Sequence, residues 1–257
     1  MTRTHGQSVQ DQFDSQAQAY LTSRVHAEGP DLAHAKSLVR HASLAAGRAI
    51  DIGCGAGHLS FALAPNLARV VALDPSPNML ATVEKAAAAR GLTQIETRQA
   101  GAESLPFADS SFSLACTRYS AHHWTRLEAA LREMRRVLQP RGRLLIIDVL
   151  GHEEPLLDTH LQCMELLRDP SHVRNRSARE WRSLLAAEGF ADIEYTEWPL
   201  RLEFAPWVAR MRTSADRTSM IRALQNEAPR EVQEGLAIEP DGSFTVKTGL
   251  FWSRPAG

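Results

Sequence analysis

The chain has 257 residues, 44% of them hydrophobic, with 29 Lys and Arg against 30 Asp and Glu and a formal net charge of −1. This is enough chain for one large α/β domain with a substantial core. Balanced charge leaves no general basic surface for a phosphate backbone, so a nucleic-acid substrate is not expected, and the absence of a long apolar run predicts no membrane insertion.

Residues 1–30 are polar and mixed, with Phe13, Tyr20 and Val25 loosely spaced as in an arm that folds onto something. Asp31 is placed to cap a helix over 32–46, with Leu32, Ala35, Leu38, Val39 and Ala42 on one face and Gly47 as its stop. Strands and helices then alternate: a strand over 48–53, a helix over 58–68, a strand over 69–74. Ser76-Pro77 supplies an N-cap and a first-turn proline to a helix carrying Met79, Leu80, Val83 and Ala87, ended by Gly91. Strands over 94–99 and 112–117, a helix over 126–138 and a turn at Pro140-Arg141-Gly142 follow. Leu144 to Val149 is a continuous apolar run of the kind found in strands buried on both faces. The alternation predicts an α/β fold, a parallel sheet with helices on both sides.

The second half is less regular. Ser177-Ala178-Arg179-Glu180 reads as a capping box opening a helix that Gly189 closes. A strand is expected near 191–198, helix over 205–236 with a break at Pro229, and a last strand over 243–247 after the Asp241-Gly242 turn. No repeat, linker or low-complexity tract divides the chain, so a single domain over 1–257 is expected. Cys54, Cys116 and Cys163 lie far apart without metal-ligand spacing. Their odd number, and an N-terminus lacking the apolar core of a signal peptide, lead to the expectation of a reducing, cytoplasmic setting with no metal site.

The most informative segment is Ala49-Ile50-Asp51-Ile52-Gly53-Cys54-Gly55-Ala56-Gly57-His58, together with Leu73-Asp74-Pro75-Ser76. A strand ends in an acid and three glycines, a helix begins, and the next strand ends in Asp74. Ligands of open parallel sheets bind beyond the carboxyl ends of strands where the strand order reverses. Glycines there let the backbone turn and let a ligand approach with no Cβ in the way. A carboxylate at 74 can accept hydrogen bonds from both hydroxyls of a ribose. Dinucleotide sites prefer G-x-G-x-x-G with pyrophosphate on the helix N-terminus, whereas the glycines here run G-x-G-x-G and His58 takes the third position. The negative charge of Asp51 would repel pyrophosphate and suit an ammonium and a sulfonium. S-adenosylmethionine carries both.

Asp51-Ile-Gly-Cys-Gly-Ala-Gly resembles the first motif of class I S-adenosylmethionine-dependent methyltransferases, and Leu73-Asp74 their acidic ribose-binding position. Ala102-Glu103-Ser104-Leu105-Pro106-Phe107-Ala108-Asp109-Ser110-Ser111-Phe112-Ser113 is similar to their third segment, with Ser113 where the family has aspartate. Leu138-Gln139-Pro140-Arg141-Gly142-Arg143 fits a fourth segment except at its last position. The resemblance covers roughly 45–150 and is strongest to the branch holding ubiquinone and menaquinone biosynthesis methyltransferases. It implies a Rossmann-like sheet of seven strands, mostly parallel with the last antiparallel, and a helical insertion before that last strand. It divides the domain into an arm and helix (1–46), a cofactor-binding core (47–150) and substrate-side helices and last strands (151–257). It further implies that Gly53, Cys54 and Gly55 line the methionyl part of the cofactor. Asp74 would hold the ribose, with Pro75 and Met79 beside the adenine and Ala102 and Glu103 bordering its ring. Thr117, Arg118 and Tyr119 would face the reacting end, and an aromatic residue of the arm, Tyr20, would touch the cofactor. The expected product is S-adenosylhomocysteine and the expected partner a small-molecule acceptor at oxygen, carbon or nitrogen.

Methyl transfer from a sulfonium mainly requires alignment and exclusion of water, and a base only where the acceptor must lose a proton. His122-His123 lies just past the fourth strand on the expected active face, where a histidine could serve as that base. The competing role is packing or capping of the next helix. Phe204, Trp207, Met211 and Met220 are candidates to wall an apolar acceptor pocket, or simply to cover the sheet. Two other readings stay open at this point: a nicotinamide-dependent oxidoreductase, and a non-catalytic cofactor-binding protein on the same fold.

Overall fold

The protein is described by a computed structural model covering residues 4–14, 21, 27–44 and 46–256; Tyr20 lies outside the described residues. Seven strands form one sheet in the order β3-β2-β1-β4-β5-β7-β6. They are β1 (Arg48–Ile52), β2 (Arg69–Asp74), β3 (Ile95–Gln99), β4 (Phe112–Arg118), β5 (Leu138–Leu150), β6 (Phe190–Leu202) and β7 (Phe244–Pro255). The pairs from β3 to β5 are parallel, and β7 runs antiparallel between β5 and β6. The expected seven-stranded, mostly parallel sheet with an antiparallel last strand is therefore present. The strand order reverses between β1 and β4, which opens a crevice at their carboxyl ends.

The helices are α1 (His5–Asp14), α2 (Pro30–His41), α3 (His58–Leu63), α4 (Pro77–Ala89), α5 (Leu127–Val137), α6 (Pro155–Arg168), α7 (Ala178–Ala187), α8 (Phe204–Arg210), α9 (Ala215–Asn226) and α10 (Arg230–Gly235). They cover the sheet through two cores. On one face Ile50, Ile52, Phe112, Ile146 and Phe251 pack with Leu131 and Met134 of α5 and Trp181 of α7. On the other Ala49, Leu114, Leu145 and Leu250 pack with Leu32 and Val39 of α2 and Leu59 and Leu63 of α3. The buried runs of β1, β2 and β4 have polar groups chiefly at their carboxyl ends, as strands covered on both faces should.

Local chemistry sets the ends that matter. Ser76 Oγ accepts the Met79 N–H at 3.0 Å, capping α4 ahead of Pro77. Ser177 and Glu180 form the expected capping box of α7. The helix expected over 58–68 stops at Leu63, because Pro65 turns 64–66 into a tight 3-10 turn. The turn expected at 140–142 is an irregularity within β5: the pairing steps from Phe112↔Leu138 to Leu114↔Arg143. The last strand is far longer than 243–247, since the apolar run through Trp252 pairs on both edges. Helix α6 has no counterpart in the sequence reading. It joins α8, α9 and α10 in a third core of Leu161, Met164, Trp207, Ile221, Val232 and Phe244 against the ends of β6 and β7. The expected 205–236 helix is three helices, parted at 211–214, where Arg212 has φ 51 and Ser214 caps α9, and again at Pro229. Among the described residues no helix is long and apolar enough to cross a membrane.

Candidate active site

The loops after β1, β2, β3 and β4 converge on a cavity of about 270 Å³. Gly53 and Cys54 both donate their N–H groups to Leu73 O, at 2.8 and 3.0 Å, so the glycine loop hangs from the end of β2. Asp74 completes that attachment. Its Oδ2 accepts Gly55 N–H and its Oδ1 accepts Ser76 N–H, each at 2.9 Å. Gly55 has φ 50, in the left-handed region that a side chain disfavours, and a Cβ built there meets no atom of the described residues within 4 Å. Gly53 is different: a Cβ there would fall 1.9 Å from Ser120 Oγ. The Cβ position at one glycine is thus open, and at the other it is taken by a protein neighbour.

Asp51 is 1% exposed and lines the cavity. Ser60 donates to its Oδ2 at 2.6 Å, while its buried Oδ1 has no hydrogen-bond partner among the described residues. A buried carboxylate oxygen without a donor is a costly arrangement that a cationic or donating ligand would relieve. Burial pushes the Asp51 carboxyl up to about 6, against the hydrogen bonds from Ser60. Asp74 is likewise raised by burial to about 6, despite its two backbone N–H donors. The rest of the wall holds Cys54, Pro75 and Met79, with Ala102 and Glu103 beyond β3. Arg118 and Tyr119 close the β4 side; Arg118 Nε donates to Asp31 Oδ2 at 2.5 Å in a pair whose side chains are each 4% exposed. Tyr119 Oη lies 3.1 Å from Thr248 Oγ1, and burial raises the phenol to about 12, so it stays neutral.

Thr117 is placed elsewhere. It is buried within β4 and is absent from the cavity wall. Side chains alternate along a strand, so with Arg118 turned to the cavity its neighbour turns away. His122 and His123 separate in the same fashion. His123 lines the main cavity, whereas His122 lines only a smaller one of about 70 Å³ beside it. Phe13, Tyr119 and His123 belong to both walls. His123 Nδ1 lies 3.0 Å from Ser171 O, which fixes it as the protonated nitrogen. Burial, and then the charge of His122, press the His123 pKa below its ordinary value.

Several wall residues carried no site assignment from the sequence. From α1, His5, Val9 and Phe13 cover the cavity, and Phe13 meets the His123 ring edge-on at 5.0 Å between centroids. The arm thus supplies an aromatic to the cavity, though its spacing carried no periodic signal. Asp14 of the same helix bonds Ser76 Oγ, tying the arm to the cap of α4. Asp148 holds His122, and its signal was visible: a carboxylate inside an otherwise apolar strand. The third motif also has a structural account. Arg136 donates to Leu105 O, Phe107 O and Asp109, and Glu133 accepts Leu105 N–H at 2.8 Å, so α5 fixes the loop before β4. Ser113, where the family's aspartate was expected, donates to Arg48 O at 3.1 Å.

Residues 50–146 match the family described as "Methyltransferase domain". The uncharacterized protein YafE of Escherichia coli K12 is 46% identical over 193 residues, 75% of this chain and 93% of that protein. The uncharacterized methyltransferase YcgJ of Bacillus subtilis is 35% identical over 227 residues, 88% of each. The chain belongs to the class I S-adenosylmethionine-dependent methyltransferases. The crystal structure of YcgJ superposes on this methyltransferase with a TM-score of 0.81 at 33% identity, covering 88% of this chain and 99% of that one. A ubiquinone/menaquinone biosynthesis C-methyltransferase, UbiE of Syntrophotalea carbinolica, is 37% identical over 163 residues, 62% of this methyltransferase and 68% of that protein.

Proposed function

We propose that this methyltransferase binds S-adenosylmethionine in the larger cavity and methylates a small-molecule acceptor by in-line displacement, leaving S-adenosylhomocysteine. The observation that carries the reading is the pair of buried carboxylates at adjoining strand ends, one with an oxygen lacking a donor among the described residues. The cofactor supplies an electrophilic methyl group on a sulfonium. Asp51 would hold its ammonium, and Gly53, Cys54 and Gly55 its methionyl chain. Asp74 retains a lone pair on each oxygen beyond its backbone donors and would accept the ribose hydroxyls. Pro75 and Met79 would flank the adenine, with Ala102 and Glu103 at its edge. Helix α1, through Val9 and Phe13, would exclude water and align the reacting groups. The adjoining smaller cavity is the place from which an acceptor would approach.

Calorimetry with S-adenosylmethionine, S-adenosylhomocysteine and NAD separates this reading from an oxidoreductase. Binding of both sulfur nucleosides is expected, and tighter binding of NAD would overturn it. Appearance of S-adenosylhomocysteine over a broad acceptor panel separates the enzyme from a non-catalytic binder, for which no acceptor would support turnover.

A further inference from the structure

We propose that His122 is the general base for an O-methylation, and that Asn175 holds a second oxygen of the acceptor beside it. The acceptor class is a neutral phenol or enol with an adjacent oxygen. This rests on the cofactor reading above.

His122 is clamped at two points by Asp148. Its Nδ1 lies 2.6 Å from Asp148 Oδ1, and its backbone N–H donates to Asp148 Oδ2 at 3.0 Å. The buried carboxylate fixes the ring and keeps the proton on Nδ1, leaving Nε2 as the basic nitrogen. Nε2 makes no hydrogen bond among the described residues, and the ring lines the smaller cavity. Burial disfavours the imidazolium, but the charge and hydrogen bond of Asp148, with Glu165 and Asp169 behind them, outweigh it and raise His122 above its ordinary pKa. His123 and His172 lie beside it, both held below their ordinary values, first by burial, and Tyr119, Arg168 and Arg210 line the same cavity.

Asn175 is the independent observation. It is 1% exposed, lines the same cavity, and its Nδ2 has no partner among the described residues. A buried amide donor left without an acceptor carries a desolvation penalty, which an oxygen of a ligand would remove. Its backbone is held as firmly as the base. Gln162 donates to Asn175 O at 2.7 Å and accepts Asn175 N–H at 3.1 Å. The N–H groups of Val173 and Arg174 bond His122 O at 2.9 and 3.1 Å, so the segment leading to Asn175 is pinned to the residue that bears the base.

The remaining wall selects the acceptor. Arg168 pairs with Glu165 at 3.2 Å, and Arg210 and Asp169 line the same wall, so the cavity offers no excess of positive charge to a free carboxylate or phosphate. Leu200, Leu202 and Trp207 supply an apolar flank for a planar body. In the step, the acceptor O–H bond breaks and its proton goes to His122 Nε2. The oxygen pair bonds the methyl carbon, the carbon–sulfur pair leaves with sulfur, and the imidazolium returns its proton to solvent.

The test uses 4-nitrocatechol, whose absorbance reports its ionisation, titrated into the full-length enzyme with saturating S-adenosylhomocysteine. The wild type should bind the probe and display the ionised spectrum at a pH where the free probe is mostly neutral. His122→Gln should lose that spectral shift, and Asn175→Ala should weaken the probe about tenfold, both with S-adenosylhomocysteine affinity unchanged. In the wild type, ionisation of the bound probe should also follow a single group titrating above an ordinary histidine, a readout that needs no variant. Absence of probe binding, or an undiminished spectral shift in His122→Gln, would overturn the proposal. Loss of S-adenosylhomocysteine binding in the wild type would instead strike the cofactor reading.

Discussion

Acidification from pH 7 to pH 5 should weaken S-adenosylhomocysteine binding sharply, and the two strand-end carboxylates set the size of the effect. Burial raises Asp51 and Asp74 from an ordinary 3.8 to about 6 each. At pH 5 each is then protonated about ten to one in the cofactor-free protein, and at pH 7 ionised in about the same ratio. An ammonium beside Asp51 demands the ionised form, so binding at pH 5 must first remove a proton at a cost of about 1.4 kcal/mol. Asp74 adds up to the same amount if the ribose hydroxyls also require its charge. The expected loss is therefore about tenfold to a hundredfold between pH 7 and 5, with about half a proton released per carboxylate at pH 6. Titration calorimetry in two buffers of different ionisation enthalpy measures both quantities. Asp51→Asn should bind more weakly at pH 7 and lose the share of the pH slope that Asp51 supplies, about tenfold between pH 7 and 5. A flat affinity in the wild type, or proton uptake on binding, would refute the assignment of these carboxylates. The sign carries over to stability. A raised carboxyl pKa stabilises the cofactor-free fold fully below about 3.8, and that contribution is lost as pH rises through about 6. S-adenosylhomocysteine should consequently raise the melting temperature more at pH 7.5 than at pH 5.

Gly55→Val should lower stability by about 1–2 kcal/mol through its left-handed backbone, yet abolish cofactor binding, as read by thermal unfolding beside calorimetry. Gly53→Ala should instead damage the fold itself, since its Cβ would collide with Ser120, and its melting temperature should fall further than that of the Gly55 variant. Asp31→Ala removes the carboxylate from a buried ion pair and should cost about 3–5 kcal/mol in denaturant unfolding; a loss below 1 would argue that Arg118 is satisfied without it. Phe13→Ala should weaken S-adenosylhomocysteine by about 1–2 kcal/mol with little change in melting temperature, because α1 packs over the cavity and outside the main cores.

The sequence by itself determined the core of this protein: the alternation that yields the sheet, the caps at Ser76 and Ser177, and the glycine loop with Asp51 and Asp74 at neighbouring strand ends. Those features are local or periodic, so spacing along the chain already states where they fall in space. Tertiary structure decided the rest. Only the strand register turns Arg118 toward the cavity and Thr117 away from it. Sequence proximity groups His122 with His123, but the fold gives His122 to Asp148 and the smaller cavity, while His123 also reaches the larger one. Met220, a candidate for the acceptor wall, is 54% exposed, whereas Trp207 from the same stretch reaches the smaller cavity. Asn175 lies in a segment with no periodic pattern, and its placement comes from the bonds that Gln162 and His122 make to the backbone around it. Contacts between residues far apart in the chain leave no periodic mark, which is why the glycine loop and its strand-end acids were legible from the residues alone and the wall of the smaller cavity was not.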